Sequence, residues 1–243
     1  MLTEDELNRY KRQINIQGWG RDAQEGLKDA IVFVAGAGGL GSSLLFYLTV
    51  SGIGTIRIAD YDKIVLSNLN RQILHSDARV GKYKVDSAYD SLKDVNSNVN
   101  LIKIYDKIVK SNIEALVDDA NIIIDCLDNV ETRHILNAFS VKNGVPMIHA
   151  GVSEFYGQIT FLHPPETPCL ACFFPTKTDK KSIPIVGATA GVIGSLQALE
   201  AIKFFAGIEK NLKNQLLIWD GKSMTFRTIK LKRNPKCRIC RDI

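Results

Sequence analysis

Residues 31–41 read IVFVAGAGGLG, and this stretch decides the fold class. Its first five residues are apolar and rich in β-branched side chains, which indicates a strand buried on both faces. The glycines that follow fit the spacing GxGxxG and lead into an apolar helical pattern. Such a turn lets backbone N–H groups and the positive end of a helix dipole approach phosphates. We therefore predict a nucleotide-binding turn at Gly36, Gly38, Gly39 and Gly41.

The same alternation of strand and helix continues along the chain. Further strands are predicted at Thr55–Ala59, Leu101–Tyr105, Asn121–Asp125, Val145–His149, Gln158–Leu162, Gln215–Trp219 and Met224–Leu231. Helices are predicted at Gly41–Val50, Lys82–Val95, Ile113–Ala120, Val130–Lys142 and Gly191–Ala206. The pattern predicts an α/β fold with a doubly wound, Rossmann-like mixed sheet. We expect this sheet to be parallel in its first half and antiparallel where the later strands follow one another directly.

The residues before the first strand predict a helical arm. Thr3 and Glu6 have the spacing of a capping box, in which the two residues satisfy each other's backbone N–H groups. We expect one helix from there to about Gln17, ended by Gly18 and Gly20.

The composition is that of a globular protein. The 243 residues are 45% hydrophobic and 23% charged, with 31 Lys and Arg against 26 Asp and Glu and a net charge of +5. These values exclude a disordered or disulfide-dense chain. With no linker or repeat, we expect a single domain over residues 1–243, with an N-terminal arm at 1–20 and a C-terminal tail at 232–243. The acidic start lacks an apolar signal region and glycines interrupt the uncharged span 30–56, so we expect a cytoplasmic protein without a membrane helix.

Charged residues after the next strand indicate the nucleotide. Asp60 lies 19 residues after Gly41, where a carboxylate accepts hydrogen bonds from ribose hydroxyls. NAD-binding and ATP-binding sites both begin with such a glycine turn and acidic residue. An ATP site needs further cations for its triphosphate, and Arg12, Arg71 and Lys84 are the candidates. Each of them, taken alone, is more typical of a solvated helix or loop position.

Asp128 follows a later predicted strand. A lone carboxylate there suits Mg²⁺, which takes one or two carboxylates together with phosphate and water oxygens. A cap for the helix that begins at Val130 is the alternative.

Four of the five cysteines form two CxxC pairs, Cys169 with Cys172 and Cys237 with Cys240. Four thiolates suit a tetrahedral structural zinc that would staple the tail to the body of the protein. Closing a loop of about 64 residues costs roughly 4 kcal/mol, whereas structural zinc contributes about 10 to 16 kcal/mol. A redox-active pair is the alternative, but it leaves the second pair unexplained.

Taken together, these motifs resemble the MoeB/ThiF/HesA family of ubiquitin-activating-enzyme-like adenylyltransferases. The resemblance runs from about residue 4 to 241 and is carried by Arg9–Ile14, Gly36–Gly41, Ser67–Gln72, Gly81–Lys84, Cys126–Asn129, both CxxC pairs and Gly194–Lys203. The segment His75–Ala78 and the tail around Asn234 and Cys237 look closer to MoeB, the molybdopterin-synthase activators, than to ThiF.

The resemblance implies an enzyme that uses ATP to adenylate the C-terminal Gly-Gly carboxylate of a small ubiquitin-like sulfur carrier, with release of pyrophosphate. The implied nucleotide contacts are Gly36 to Gly41, Asp60, Ser67, Asn68, Arg71, Gln72, Lys84, Asp128 and Asn129, and the implied catalytic residues are Arg12, Arg71, Lys84 and Asp128. Asp128 would hold Mg²⁺. Arg12 would reach into the site of a neighbouring subunit, which implies a homodimer. Molybdopterin synthesis is the favoured pathway, with the thiamin and tRNA-thiolation carriers as alternatives.

One position departs from many relatives, which carry a further cysteine in the loop after the first CxxC pair. Here that loop, Phe173 to Val186, has none, and Lys180 falls at about its place. Cys126 lies in an apolar strand and is expected to be buried packing. We therefore predict that the reaction stops at the acyl-adenylate and that a separate persulfide donor supplies the sulfur.

The remaining polar residues carry weaker signals. The four histidines do not cluster and are interpreted as surface or packing residues: His75, His134, His149 and His163. Cationic residues near the zinc loop form either a solvated face or a dock for an acidic carrier: Lys177, Lys180, Lys181, Lys230, Lys232, Arg233, Lys236, Arg238 and Arg241. No aromatic pattern for stacking bases accompanies them, so we expect no nucleic-acid partner.

Two other functions stay open at this point. An NAD-linked oxidoreductase needs the glycine turn and Asp60 but leaves Arg71, Lys84 and Asp128 idle. A non-catalytic subunit that binds a partner is the third possibility.

Overall fold

The computed structural model describes residues 1–174, 184–208 and 210–242. The strands are β1 (Ile31–Ala35), β2 (Thr55–Ala59), β3 (Asn100–Ile104), β4 (Ile122–Asp125), β5 (Met147–Ser153), β6 (Tyr156–Leu162), β7 (Gln215–Asp220) and β8 (Thr225–Lys230). The helices are α1 (Glu4–Arg9), α2 (Lys11–Ile14), α3 (Gly20–Asp29), α4 (Gly39–Ser51), α5 (Lys84–Val95), α6 (Ile113–Val117), α7 (Val130–Asn143) and α8 (Gly187–Phe205).

The described strands form one sheet in the order β3-β2-β1-β4-β5-β6-β7-β8. The pairs from β3 to β5 are parallel, and the pairs from β5 to β8 are antiparallel. The predicted doubly wound mixed sheet is confirmed. The chain order reverses between β1 and β4, and open α/β sheets bind ligands beside such a reversal, at the carboxyl ends of the strands.

The residues of β1 face two separate cores. Val32 and Val34 pack with residues of α4, α5 and α8 on one face, whereas Phe33 and Ala35 pack with residues of α6 and α7 on the other. All four side chains are fully buried. Because successive residues of a strand point to opposite faces, a strand between two helix layers must be apolar at every position.

Helix α8 crosses α4 at backbone contact. A Cβ atom on Gly194 would lie 2.3 Å from the carbonyl oxygen of Leu40 and 2.3 Å from Oγ of Ser43. Only glycine permits this approach, which holds the first turn of α4 firmly against the body of the protein.

The prediction of one continuous N-terminal helix is wrong. The capping box is present, since Glu6 N donates to Thr3 Oγ1 and Thr3 N donates to Glu6 Oε2. The helix nevertheless breaks at Tyr10, whose ring is buried against Gly52 and whose hydroxyl accepts a hydrogen bond from Asn96. The tertiary contacts of one aromatic side chain override the local helical pattern.

Helix α3 was not predicted from the sequence. Gly20 begins this helix instead of ending the previous one, and the helix buries Ala23 and Leu27 against the core. The other elements lie where they were predicted, with ends shifted by up to four residues. Among the described helices, none combines the length and the apolar character that crossing a membrane requires.

Candidate active site

A cavity of about 840 Å³ opens where the chain order reverses, between the ends of β1, β2 and β4 and the hairpin of β5 and β6. The predicted site residues that line it are Gly36, Gly38, Gly39, Asp60, Arg71, Gln72, Lys84, Asp128 and Asn129. This volume is near the upper end of the range for small-molecule sites, about 300 to 1,000 Å³, and leaves room for a nucleotide and a second reactant.

The glycine turn has the geometry of an anion site. Gly36 adopts a φ of +104°, which favours glycine, and a Cβ on Gly41 would lie 2.2 Å from the carbonyl oxygen of Gly36. Gly38 precedes α4 and provides no side-chain cap. The first N–H groups of α4 are therefore available for a phosphate at the positive end of the helix.

Asp60 and Lys84 form a buried pair beside this turn. Asp60 accepts hydrogen bonds from the backbone N–H groups of Ala37 and Asp62, both at 2.9 Å. Lys84 Nζ lies 2.8 Å from Asp62 Oδ2 and 3.8 Å from Asp60 Oδ2. Burial raises the pKa of Asp60, and the charge of Lys84 opposes that rise. A buried ammonium group thus lies within the cavity wall, where it can reach a phosphate.

Arg71 and Gln72 close the cavity on the side of the connection after β2. Arg71 Nη1 donates to the carbonyl oxygen of Ser67 and to Asn70 Oδ1, both at 2.9 Å. Gln72 is buried, and its Oε1 has no hydrogen-bond partner among the described residues. Because an unpaired buried acceptor is unfavourable, Gln72 is suited to receive a hydrogen bond from a ligand.

Asp128 and Asn129 follow β4 across the cavity. Asp128 is exposed. Burial raises the pKa of the Tyr61 phenol, and the charges of Asp62 and then Asp128 add to that rise. Asn129 Oδ1 accepts a hydrogen bond from Thr132 N and caps α7. The helix cap is therefore Asn129, which leaves the Asp128 carboxylate free for a cation and fits the predicted Mg²⁺ site.

Four predicted site residues do not line the cavity. Gly41 lies beneath the turn and serves its close packing. Asn68 Oδ1 accepts from Val65 N, and Ser67 contributes only its carbonyl oxygen to Arg71. Arg12 lies on the exposed side of α2. Ser67 and Asn68 lie outside the cavity lining, because their loop folds into a tight turn in which Asn68 Oδ1 and the Ser67 carbonyl oxygen accept hydrogen bonds from the loop itself.

A buried ionic group lies beneath the cavity and was not predicted from the sequence. Asp125, at the end of β4, lies 2.7 Å from His149 Nδ1 and 3.4 Å from Arg133 Nε. Burial alone raises the pKa of Asp125, but Arg133 and the hydrogen bond from His149 hold it below its ordinary value. Burial lowers the pKa of His149, so its ring is neutral at pH 7. The sequence did contain a signal for this group, since an acidic residue, Asp125, ends a strand and an arginine, Arg133, lies on the following helix.

The four cysteines of the two CxxC pairs come together. Their Sγ atoms all lie within 4.8 Å of one another, with 3.6 Å between Cys169 and Cys237 and 3.5 Å between Cys172 and Cys240. A tetrahedral zinc with bonds near 2.3 Å separates its sulfur ligands by about 3.8 Å. Although burial opposes it, the backbone N–H groups of Ile239 and Cys240 lower the pKa of Cys237 to about 7. The donor set therefore fits a structural zinc.

Cys126 is buried in the cavity wall, and its thiol lies 3.6 Å from Gln197 Oε1. Burial raises the pKa of this thiol well above its ordinary value, which makes it a poor nucleophile, as expected. Most of the loop in which relatives carry a further cysteine, including Lys180, lies outside the described residues.

The predicted cationic surface is present in part. Lys230, Lys232, Lys236, Arg238 and Arg241 are exposed, while Lys177, Lys180 and Lys181 lie outside the described residues. That it docks an acidic carrier stays a prediction, which the salt dependence of carrier affinity would check.

A model of the ThiF family matches residues 10–239. The chain belongs to the ThiF family. This ThiF-family protein is 38% identical to the molybdopterin-synthase adenylyltransferase of Escherichia coli K12 over 98% of both chains. It is 37% identical to the vegetative HesA protein of Trichormus variabilis, over 98% of this chain and 91% of that protein. The crystal structure of E. coli MccB with ATP superposes with a TM-score of 0.84 at 26% identity, covering 96% of this chain and 74% of MccB.

Proposed function

We propose that this ThiF-family protein is an adenylyltransferase that uses ATP to adenylate the C-terminal Gly-Gly carboxylate of a small ubiquitin-like sulfur carrier, in molybdopterin synthesis. The observation that carries the proposal is the cavity itself. It brings a glycine turn with free N–H groups, the buried Lys84 and the free Asp128 carboxylate to one place. The likeness to a molybdopterin-synthase adenylyltransferase supports the pathway, and thiamin and tRNA-thiolation carriers are the alternatives. An oxidoreductase is not supported by the family.

In the proposed mechanism the chain positions the reactants and neutralises charge. The N–H groups at the start of α4 and Lys84 bind the phosphates, with Arg71 at the outer wall, while Asp60 accepts hydrogen bonds from the ribose. The carrier carboxylate is already ionised at neutral pH, so no general base is needed. One carboxylate oxygen forms a bond to the α-phosphorus as the bond to the leaving pyrophosphate breaks.

Two metal ions complete the proposal. Asp128 would hold Mg²⁺, which supplies further charge neutralisation at the phosphates. Cys169, Cys172, Cys237 and Cys240 would hold Zn²⁺, which has a structural role.

The reaction is proposed to end at the acyl-adenylate, because Cys126 is buried with a raised pKa. A separate persulfide donor would then attack the adenylate. A covalent, thiol-sensitive conjugate between enzyme and carrier would contradict this step. We further propose that residues 1–243 form one cytoplasmic adenylation domain, with the arm at 1–20 and the zinc-stapled tail at 232–243.

The test is carrier-dependent exchange of labelled pyrophosphate into ATP, with the ubiquitin-like carriers of the molybdopterin and thiamin pathways compared side by side. Lys84→Ala and Asp128→Ala are expected to reduce exchange by at least about a hundredfold, because each removes charge neutralisation at the phosphates. Lys82→Ala and Asp90→Ala, at exposed positions of the same region, serve as controls. Full exchange in either active-site variant, or no exchange with any carrier by the wild type, would contradict the proposal.

A further inference from the structure

The hairpin of β5 and β6 carries a second set of polar groups in the cavity, away from the glycine turn. Gly151 and Gln158 pair across this hairpin, and both line the cavity together with Arg133. A Cβ atom on Gly151 would lie 3.4 Å from Gln158 Nε2 and 3.7 Å from Arg133 Nη1. The absent side chain thus leaves a gap between two N–H donors. We call Arg133, Gly151 and Gln158 the cradle.

Arg133 is held rigidly within the cradle. Its Nη2 donates to the carbonyl oxygens of Leu127 and Ala150, and its guanidinium lies over the ring of Phe174 at 5.6 Å. Its Nε faces the Asp125 carboxylate. Nη1 donates to no atom in the described part of the chain, and it is the Arg133 nitrogen next to the gap. A fixed cation with one open donor edge is suited to a carboxylate.

Asp125 and His149 keep this cation in place. His149 Nδ1 donates to Asp125 Oδ2, the same oxygen that faces Arg133 Nε. Both side chains are fully buried. A buried arginine needs such a partner, and the partner needs its own donor to stay aligned. These two residues are positioning residues for Arg133.

The cradle lies in the same cavity as the glycine turn. In the sheet order β1-β4-β5-β6, the glycine turn follows β1, Asp128 follows β4, and two cradle residues lie on the last two strands, Gly151 on β5 and Gln158 on β6. Neighbouring strands are about 4.8 Å apart, and β5 and β6 are two and three strand spacings from β1, with β4 and the following Asp128 between them. The cradle and the turn line the same cavity, so a carboxylate held in the cradle would share that cavity with a nucleotide bound at the turn.

We propose that the cradle binds the terminal carboxylate of the carrier, an inference that rests on the proposed function and names the residues that position its second substrate. Arg133 Nη1 and Gln158 Nε2 hold one carboxylate oxygen. The other oxygen attacks the α-phosphorus, forming a P–O bond while the bond to pyrophosphate breaks, and the held oxygen becomes the acyl carbonyl oxygen. No proton is transferred.

The test uses Gly151→Ala and Gln158→Leu in the full-length enzyme. The contacts of the new Cβ at Gly151 are ordinary van der Waals distances, so the variant is expected to fold. Both changes are expected to lower kcat/KM for the carrier about tenfold to a hundredfold, because they displace the carboxylate or remove its donor. The Kd for ATP without carrier is expected to stay within about twofold, since the phosphate site is untouched.

A second readout separates binding of the carboxylate from a general structural effect. The carrier is also prepared with a C-terminal carboxamide and used as a competitor of exchange. The wild type is expected to prefer the carboxylate form, and the two variants are expected to lose that preference. Gly191→Ala, whose Cβ would meet nothing within 4 Å, and the exposed Gln215→Leu are the controls.

Wild-type kcat/KM and an unchanged preference for the carboxylate in both cradle variants would overturn the inference while leaving the proposed function intact. Absence of exchange in the wild type would instead remove the proposed function and the inference with it.

Discussion

His75 supports the glycine turn through the hydrogen bonds of its two ring nitrogens. Its Nε2 lies 3.0 Å from the carbonyl oxygen of Ala37, and its Nδ1 lies 3.0 Å from Ser87 Oγ. Burial, together with the nearby charges of Lys84 and Arg79, lowers the pKa of His75 to about 4. The neutral ring can donate to Ala37 and accept from Ser87, so a single uncharged side chain fixes the turn on which phosphate binding depends.

This depressed pKa predicts a loss of stability in mild acid. Between an unfolded pKa near 6.5 and a folded pKa of about 4, the unfolded chain binds a proton that the folded chain excludes. The contribution of His75 is therefore complete above pH 6.5 and is lost as the pH falls to about 4. It amounts to at most about 3 to 4 kcal/mol, since one pKa unit corresponds to about 1.4 kcal/mol. Urea unfolding from pH 4 to 7 should give a flatter profile for His75→Gln, and equal profiles would contradict the assignment.

The element that most directly shapes the cavity floor is α7. Asn129 has an extended backbone and caps the helix through Thr132 N, so the first turn of α7 points its positive end toward the cavity. Arg133 follows one turn later, on the side that faces Asp125. The start of this helix thus places a cap, a cation and the free Asp128 carboxylate within six residues.

Two substitutions separate the effect of helix capping by Asn129 from the effect of a negative charge at this position. Asn129→Ala removes the cap and is expected to lower the free energy of unfolding by about 1 kcal/mol. Asn129→Asp keeps a capping oxygen, so stability should change little, but it adds a negative charge beside the phosphates and should weaken ATP binding severalfold. Denaturant unfolding and ATP titration measure the two effects. Unchanged stability in Asn129→Ala would contradict the capping role.

At the scale of the whole molecule, the cysteine cluster joins distant parts of the chain. Cys169, Cys237 and Cys240 pack with Val141 of α7 in a small core of their own. The tail therefore reaches the body through a patch too small to hold it by apolar burial alone. A bound zinc would close the long loop between the two pairs.

Removal of zinc is expected to release the tail. Chelation or Cys237→Ser should lower the melting temperature and expose residues 232–242 to protease, because loop closure of about 4 kcal/mol is no longer offset by metal binding. ATP binding should survive, since no cluster cysteine lines the cavity. Cys126→Ala is the control and should retain one zinc per chain by atomic absorption. A tail that resists protease without metal would argue against the staple.

A further prediction concerns the proposed homodimer. Arg12 lies on an exposed face outside its own cavity, and the proposal is that it acts in the site of another subunit. Arg12→Ala and Lys84→Ala should each be inactive alone. Mixed and reassembled, they should recover about a quarter of wild-type exchange, because half of the dimers would contain one intact site. No recovery in mixtures shown to exchange subunits would contradict the composite site.

Local sequence patterns were sufficient to predict much of the fold and part of the candidate site. The buried strand β1, the glycine turn and Asp60 were predictable because strand periodicity, glycine conformation and motif spacing are properties of short segments. The break at Tyr10 and the start of α3 were not, since each depends on packing against residues far along the chain.

The mixed sheet, the glycine turn and the two CxxC pairs could be predicted from the sequence, because side-chain types at fixed spacing restrict which backbone and which chemistry are possible. Which polar residues share the cavity could not be predicted from the sequence and depends on the tertiary structure. The tertiary structure left Ser67 and Asn68 outside the cavity, assigned Asn129 to a helix cap, and joined Arg133, Gly151 and Gln158 from three elements. The physical reason is that a binding site is a set of distances between strand ends, and those distances exist only once the sheet is formed.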